Sequence, residues 1–171
     1  MELETPADAW YVWVGVAIVS VGVAGVALGV PSQPPPDATE AANAIDRVAV
    51  SQYGASASFD HDADAVRIGP KQIALRNDGG TTHASIAVGS MTPVFETKGG
   101  LHRAATALVD GEPAPRVVAE SSFDSERALR EALEDARLRI DREGTNWRAA
   151  EGKLRVRAVR LGDETVVLVD A

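Results

Sequence analysis

The chain has 171 residues, no cysteine, and 25 Asp and Glu residues against 17 Lys and Arg, which gives a formal net charge of −8 at pH 7. The lack of cysteine excludes disulfides, thiolate zinc sites, iron–sulfur clusters and thiol catalysis within this chain. The acidic balance disfavours nonspecific binding to nucleic acid or to an anionic membrane surface, because both need clustered positive charge. Few lysines among many arginines favour adaptation to concentrated salt, and the alternative is an ordinary acidic protein from a GC-rich genome.

A long apolar segment lies near the N-terminus. Residues 9–30 carry no charged side chain, and as a helix they would span ~33 Å against a hydrocarbon core of ~30 Å. Trp10, Tyr11 and Trp13 stand at its N-terminal edge, where aromatic rings favour the membrane interface. The pattern predicts an acidic leader over 1–8 followed by a single-pass transmembrane helix with these three residues as interface anchors.

Two alternatives compete with a membrane anchor. A cleaved secretory signal is disfavoured because the leader is acidic, although Ala27-Leu-Gly29 offers a conceivable cleavage site. A buried core helix is disfavoured because the segment is apolar all round and is followed by prolines over 31–36, which predict a stiff stalk. The nearest basic residue is Arg47, so the charge rule for orientation has little to act on. We expect the following domain to face outward, at the cell surface.

The apolar helix also carries regularly spaced glycines. Gly15, Gly22 and Gly29 recur every seven residues, and Gly25 with Gly29 makes a small-xxx-small match. These four residues fall on one helical face and would let a second helix approach closely. Chance in a Gly- and Ala-rich segment is the alternative explanation.

Residues 37–171 are predicted to form one α+β domain. A capping box at Asp37-Ala-Thr-Glu40 begins a helix over 38–52, and a second amphipathic helix covers 124–142. Alternating apolar residues and turn signals predict a three-strand meander and a C-terminal hairpin. We therefore expect one small antiparallel sheet of about five strands packed with two helices. The predicted strands centre on 66–68, 72–76, 84–88, 154–158 and 165–169, and a loop is expected at 112–115.

The residues that could carry chemistry are sparse. The segment Asp60-His-Asp-Ala-Asp64 resembles an oxygen-rich metal loop but lacks the glycine and the distal Glu of an EF-hand. Ser90 has no signalled base, and phosphate-binding glycine motifs are missing from the sequence. We therefore expect no enzyme activity, no catalytic residue, no metal and no cofactor, with a small-ligand or ion-binding module as the alternative.

A short basic strip interrupts the acidic sequence near its C-terminus. Its members are Lys153, Arg155, Arg157 and Arg160, and Arg155 and Arg157 should project to the same face of a strand. The strip is a candidate docking surface for an acidic partner protein. The alternative is that these residues are only the outward-facing polar side chains of a half-exposed sheet, whose polar and apolar residues alternate.

Several segments together resemble a family of uncharacterised haloarchaeal single-pass membrane proteins associated with type IV pilus-like gene clusters. They are Asp8-Ala-Trp-Tyr-Val-Trp-Val14, Leu28-Gly-Val-Pro-Ser-Gln-Pro-Pro-Pro-Asp37, Ile45-Asp-Arg-Val48, Val66-Arg-Ile-Gly69 and Leu75-Arg-Asn-Asp-Gly79. The resemblance implies a role in a surface appendage or secretion machine, with the membrane and other subunits as partners and no nucleic acid. The chain departs from a true pilin because no basic residue and glycine precede the apolar segment and because prolines interrupt the helix. The expectation is an accessory or minor pilin-like component that does not catalyse a reaction.

Overall fold

The computed structural model describes residues 9–28, 33–51 and 54–171, and it divides into two compact units, Met1–Ser32 and Gln33–Ala171. The described part of the first unit is helix α1 (Ala9–Leu28). Its side chains from position 10 to position 26 are all exposed. The rings of Trp10 and Tyr11 lie with their centroids 3.8 Å apart.

The prediction of a single-pass transmembrane helix is wrong for the described residues. None of the helices there combines the length and the apolar character that crossing a membrane requires.

The second unit is α+β, but its strands form two sheets of four strands each, not one sheet of about five. We call the sheet with order β1-β7-β8-β5 the central sheet and the sheet with order β4-β3-β2-β6 the meander sheet. All strand pairs are antiparallel except β5 and β8, which are parallel. The strands are β1 (Ser56–Asp60), β2 (Ala65–Ile68), β3 (Gln72–Asn77), β4 (Gly80–Ser85), β5 (Met91–Pro93), β6 (Arg148–Ala149), β7 (Lys153–Leu161) and β8 (Glu164–Asp170).

The meander and the C-terminal hairpin are confirmed because their turns are local in sequence. The third meander strand begins at Gly80, earlier than predicted, since the strand pairs directly from the turn outward. The prediction of a single sheet is wrong. Strand β1 pairs with β7, although the two are about a hundred residues apart in the sequence; Ser56, for example, lies opposite Arg157. Pairing over that distance leaves no local turn signal.

Four helices cover the second unit among the described residues, two more than predicted. The Asp37 side chain accepts hydrogen bonds from the backbone N–H groups of Thr39 and Glu40, which confirms the predicted N-cap. The segment predicted as a loop at 112–115 instead leads into a helix with a proline in its first turn. The helices are α2 (Ala38–Ala49), α3 (Gly99–Asp110), α4 (Ala114–Glu120) and α5 (Glu126–Glu143), with a 3₁₀ turn at Val94–Glu96.

The hydrophobic core lies on both faces of the central sheet. One cluster joins α2, the meander sheet and side chains such as Val156 and Val169. The other joins α3, α4 and α5 to side chains such as Leu161 and Leu168. Because β8 contributes to both clusters, all four residues from Val166 to Val169 are buried. The outer face of the meander sheet is left facing solvent.

Residues 33–36, part of the predicted proline stalk, lie along the β3–β4 hairpin, and we call them the strap. The Asn77 amide donates to the Pro34 carbonyl at 3.0 Å, and the Thr82 hydroxyl donates to the Pro36 carbonyl at 2.5 Å. At Gly79 a Cβ atom would come within 2.9 Å of the Pro34 carbonyl group. The strap is therefore held by specific contacts to the hairpin.

Candidate functional site

The predicted basic strip is largely neutralised inside the domain. The Arg155 guanidinium donates to Asp110 and to Asp170, each at 2.5 Å, and Lys153 lies 3.6 Å from Asp60. Burial lowers the pKa of Arg155, but the hydrogen bonds to the two carboxylates outweigh burial and raise it overall. The charge of Arg155 is thus balanced by the chain's own carboxylates.

The other two members of the strip bind backbone carbonyls. Arg157 lies 3.5 Å from the Gly111 carbonyl, and Arg160 donates to the Gly162 carbonyl at 3.2 Å. By strand alternation Arg160 points to the face opposite Arg155 and Arg157. Docking through this strip stays a prediction, and the structure does not bring its four members onto one surface.

A different basic surface lies on the solvent-facing side of the meander sheet. Arg67 from β2 and Arg76 from β3 both approach the ring of Trp147, with guanidinium carbons 5.0 and 4.5 Å from the ring centroid. His83 of β4 lies on the same side, in register with Ala74 and Arg67. We call this surface, made of Arg67, Arg76 and Trp147, the Trp147 face.

The sheet itself positions these three side chains. The apolar residues Val66 and Leu75 point into the core, so strand alternation turns Arg67 and Arg76 outward. Strand β6 pairs with β2 at Val66 and at Ala65, and the Ala150 N–H donates to the backbone carbonyl of Asp64 at 2.9 Å. These backbone contacts fix the chain directly after Trp147 and keep its ring over β2 and β3.

The electrostatics of the Trp147 face differ from those of the strip. Among the described residues, neither Arg67 nor Arg76 makes an ion pair with a carboxylate. Each guanidinium gains ~0.5–1 kcal/mol from the ring at an exposed site, but the two like charges repel each other. The arrangement is suited to binding an anionic group.

Sequence reasoning missed Trp147 altogether. The available signal was weak: Trp147 stands in a loop just after Gly144, and its meeting with two arginines about seventy and eighty residues away depends on the pairing of β6 with β2. Nothing local in sequence joins the three residues.

The acidic 60–64 loop does not assemble a metal centre. Within the described ranges, no three His, Asp or Glu side chains are grouped so that they could hold a metal ion. His61 is half-buried, and its Nδ1 accepts the Ala63 N–H at 3.3 Å, so the neutral ring carries its proton on Nε2. That Nε2 is buried without a partner among the described residues. Burial lowers the pKa of His61, against the opposing effects of its own backbone hydrogen bond and of Asp62 and Asp60.

A shallow cavity of about 240 Å³ lies between α3 and α4. Ala104 and Val117 line it with apolar surface, and Arg103, Glu112 and Glu120 add charged groups. Glu112 and Glu120 also flank Arg116, at 3.9 and 3.0 Å. The cavity therefore has a small apolar surface, and its two carboxylates already form ion pairs with Arg116.

The predicted association face of α1 is sterically open. Apart from the backbone of the helix itself, a Cβ atom added at Gly15, Gly22 or Gly25 would meet no atom of the described residues within 4 Å. Gly29 lies outside the described residues. Close approach of another helix to this face stays a prediction.

These features define an α+β domain of two four-stranded sheets that exposes a cation–aromatic surface. Residues 4–159 match the family of unknown function DUF7283, and the chain belongs to that family. No curated protein and no solved structure matches the chain.

Proposed function

We propose that the protein is a non-enzymatic interaction protein that binds another protein through the Trp147 face. The observation that carries this proposal is the contact of the half-buried Trp147 with two arginines, the half-buried Arg67 and the exposed Arg76, that have no described carboxylate partner. Tryptophan and arginine, with tyrosine, are enriched among the energetically dominant residues of protein interfaces. Their placement on the outer face of the meander sheet, opposite the core-facing Val66 and Leu75, favours docking of a partner.

The assembly we propose for it is an archaeal surface appendage or secretion machine, in which this chain is an accessory or minor pilin-like component. The resemblance of segments such as Leu75-Arg-Asn-Asp-Gly79 supports the assignment, as does the acidic composition. The combination of an N-terminal helix and an α+β domain agrees with a pilin-like subunit. An extracellular position of the domain belongs to the same proposal.

The test is recovery of partners from native cells with a C-terminally tagged chain, followed by mass spectrometry. Trp147→Ala should lose the recovered subunits, while the matched control Leu138→Ala, which truncates an exposed apolar side chain on α5, should retain them. Circular dichroism checks that both variants fold. Equal recovery by the two variants would refute binding through the Trp147 face. Recovery of metabolic enzymes in place of appendage or secretion subunits would refute the assembly.

A further inference from the structure

We infer that the Trp147 face binds an extended acidic segment of a partner protein in which two carboxylates are separated by one residue. This inference rests on the proposed function, because it names the partner chemistry of the same surface. It would make Arg67 and Arg76 the two carboxylate receptors and Trp147 the aromatic surface between them.

The charges supply the first argument. The guanidinium carbons of Arg67 and Arg76 both lie within 5.0 Å of the centroid of the Trp147 ring. The two positive charges therefore repel each other in the free protein. An anion that binds both removes that repulsion and gains charge-assisted hydrogen bonds, which are about twice as strong as neutral ones. Arginine also matches the planar geometry of a carboxylate with two parallel N–H donors.

The spacing supplies the second argument. Arg67 lies opposite Ala74, and Arg76 is two residues farther along β3, so the two arginines are diagonal neighbours on one sheet face. Diagonal neighbours lie ~7–8 Å apart. In an extended chain, side chains two residues apart point the same way and are separated by ~6.5–7 Å. Acidic residues at alternate positions of an extended segment therefore match the two arginines.

The same charges argue for a protein segment over a nucleic acid. Nucleic acid binding typically depends on ~6–10 phosphate contacts, whereas this face offers two arginines, with His83 beside them, on a chain of net charge −8. An acidic peptide needs only the two local contacts. Direct hydrogen-bonded contacts also persist when salt shortens the Debye length to ~3 Å at 1 M.

The experiment uses the full chain with Trp10→Phe and Trp13→Phe, which leaves Trp147 as the sole tryptophan. Its fluorescence is titrated with a synthetic peptide that alternates Glu and Ser. The controls are the matching Gln and Ser peptide, and a peptide of identical composition with all Glu residues in one block. We expect saturable binding of the alternating Glu peptide, about tenfold weaker binding of the block peptide, and no saturation with the Gln peptide.

Charge-removing variants then locate the contact. Arg76→Gln should weaken binding of the alternating peptide about tenfold, the loss expected for one charge-assisted hydrogen bond. Arg103→Gln, the same change at an exposed position of α3, should leave binding unchanged. Equal weakening by both variants would show that only net charge matters and would overturn the inference.

Other outcomes separate this inference from the proposed function. Equal binding of the Glu and Gln peptides, or tighter binding of a single-stranded oligonucleotide, would overturn the acidic segment. If native partners still depended on Trp147 in that case, the proposed function would stand and only the partner chemistry would fail. If native partners did not depend on Trp147, the proposed function would fail as well.

Discussion

Asn77 joins three segments of the domain, and its replacement by alanine should measure how firmly the strap is held. Its side chain is only 7% exposed. It donates to the Pro34 carbonyl at 3.0 Å and to the Asp62 carbonyl at 3.2 Å, and it accepts the Gly79 N–H at 2.8 Å. The one amide thus connects the strap, the acidic loop and the β3–β4 turn.

The magnitude follows from these three contacts. A typical hydrogen bond contributes ~0.5–1.5 kcal/mol net, and a buried group left without a partner costs ~1–3 kcal/mol. Water can reach part of this region, so we expect Asn77→Ala to lower the free energy of unfolding by about 3 kcal/mol. For a unit of roughly 140 residues the unfolding entropy is ~0.3 kcal/mol/K. The melting temperature should therefore fall by about 10 °C.

The assay is thermal and urea unfolding of the full chain followed by circular dichroism. Asn146→Ala is the matched control, because Asn146 is exposed and makes no side-chain hydrogen bond among those found in the described residues. It should shift the melting temperature by less than about 2 °C, as surface changes usually do. If Asn77→Ala also stayed within that range, the strap would not contribute measurably to stability and the reasoning from the three contacts would be refuted.

Three further predictions concern glycine packing, pH and helix association. Gly79→Ala should cost about 1–3 kcal/mol because its Cβ would collide with the strap, whereas Gly69→Ala, with ordinary contacts only, should cost clearly less in urea unfolding. Because burial lowers the pKa of His61, the free energy of unfolding should decline as pH falls below about 6.5. His61→Gln should reduce that decline between pH 8 and pH 5, and an unchanged decline in the variant would contradict the role of His61. Gly22→Leu should weaken recovery of native partners while Ala24→Leu, on the opposite side of α1, should not; equal recovery would count against the glycine face.

Elements with local signals could be predicted from the sequence. The α5 stripe repeats at helical spacing and is buried as expected, and the turn at 77–80 joins two strands that pair directly. Helix α4 was missed because Pro113 and Pro115 look like loop residues, although a proline in the first turn only removes an N–H that lacks a partner there. The division into two sheets was missed because β1 pairs with β7 about a hundred residues away without a local turn signal, and because a two-residue strand such as β6 has no periodicity to detect.

The candidate site shows why arginines on alternating strand positions cannot be ranked from sequence alone. Arg155 and Arg76 each follow a leucine of a strand, Leu154 and Leu75, and look equivalent in the sequence. Arg155 is neutralised because α3 ends at Asp110 and β8 ends at Asp170, and both carboxylates converge on it. Arg76 meets Trp147 instead, since the pairing of β6 with β2 places Trp147, the residue just before β6, over the sheet. Tertiary pairing therefore decides which arginine keeps a charge without an ion-pair partner. We propose docking at the Trp147 face because binding there does not have to break an existing ion pair.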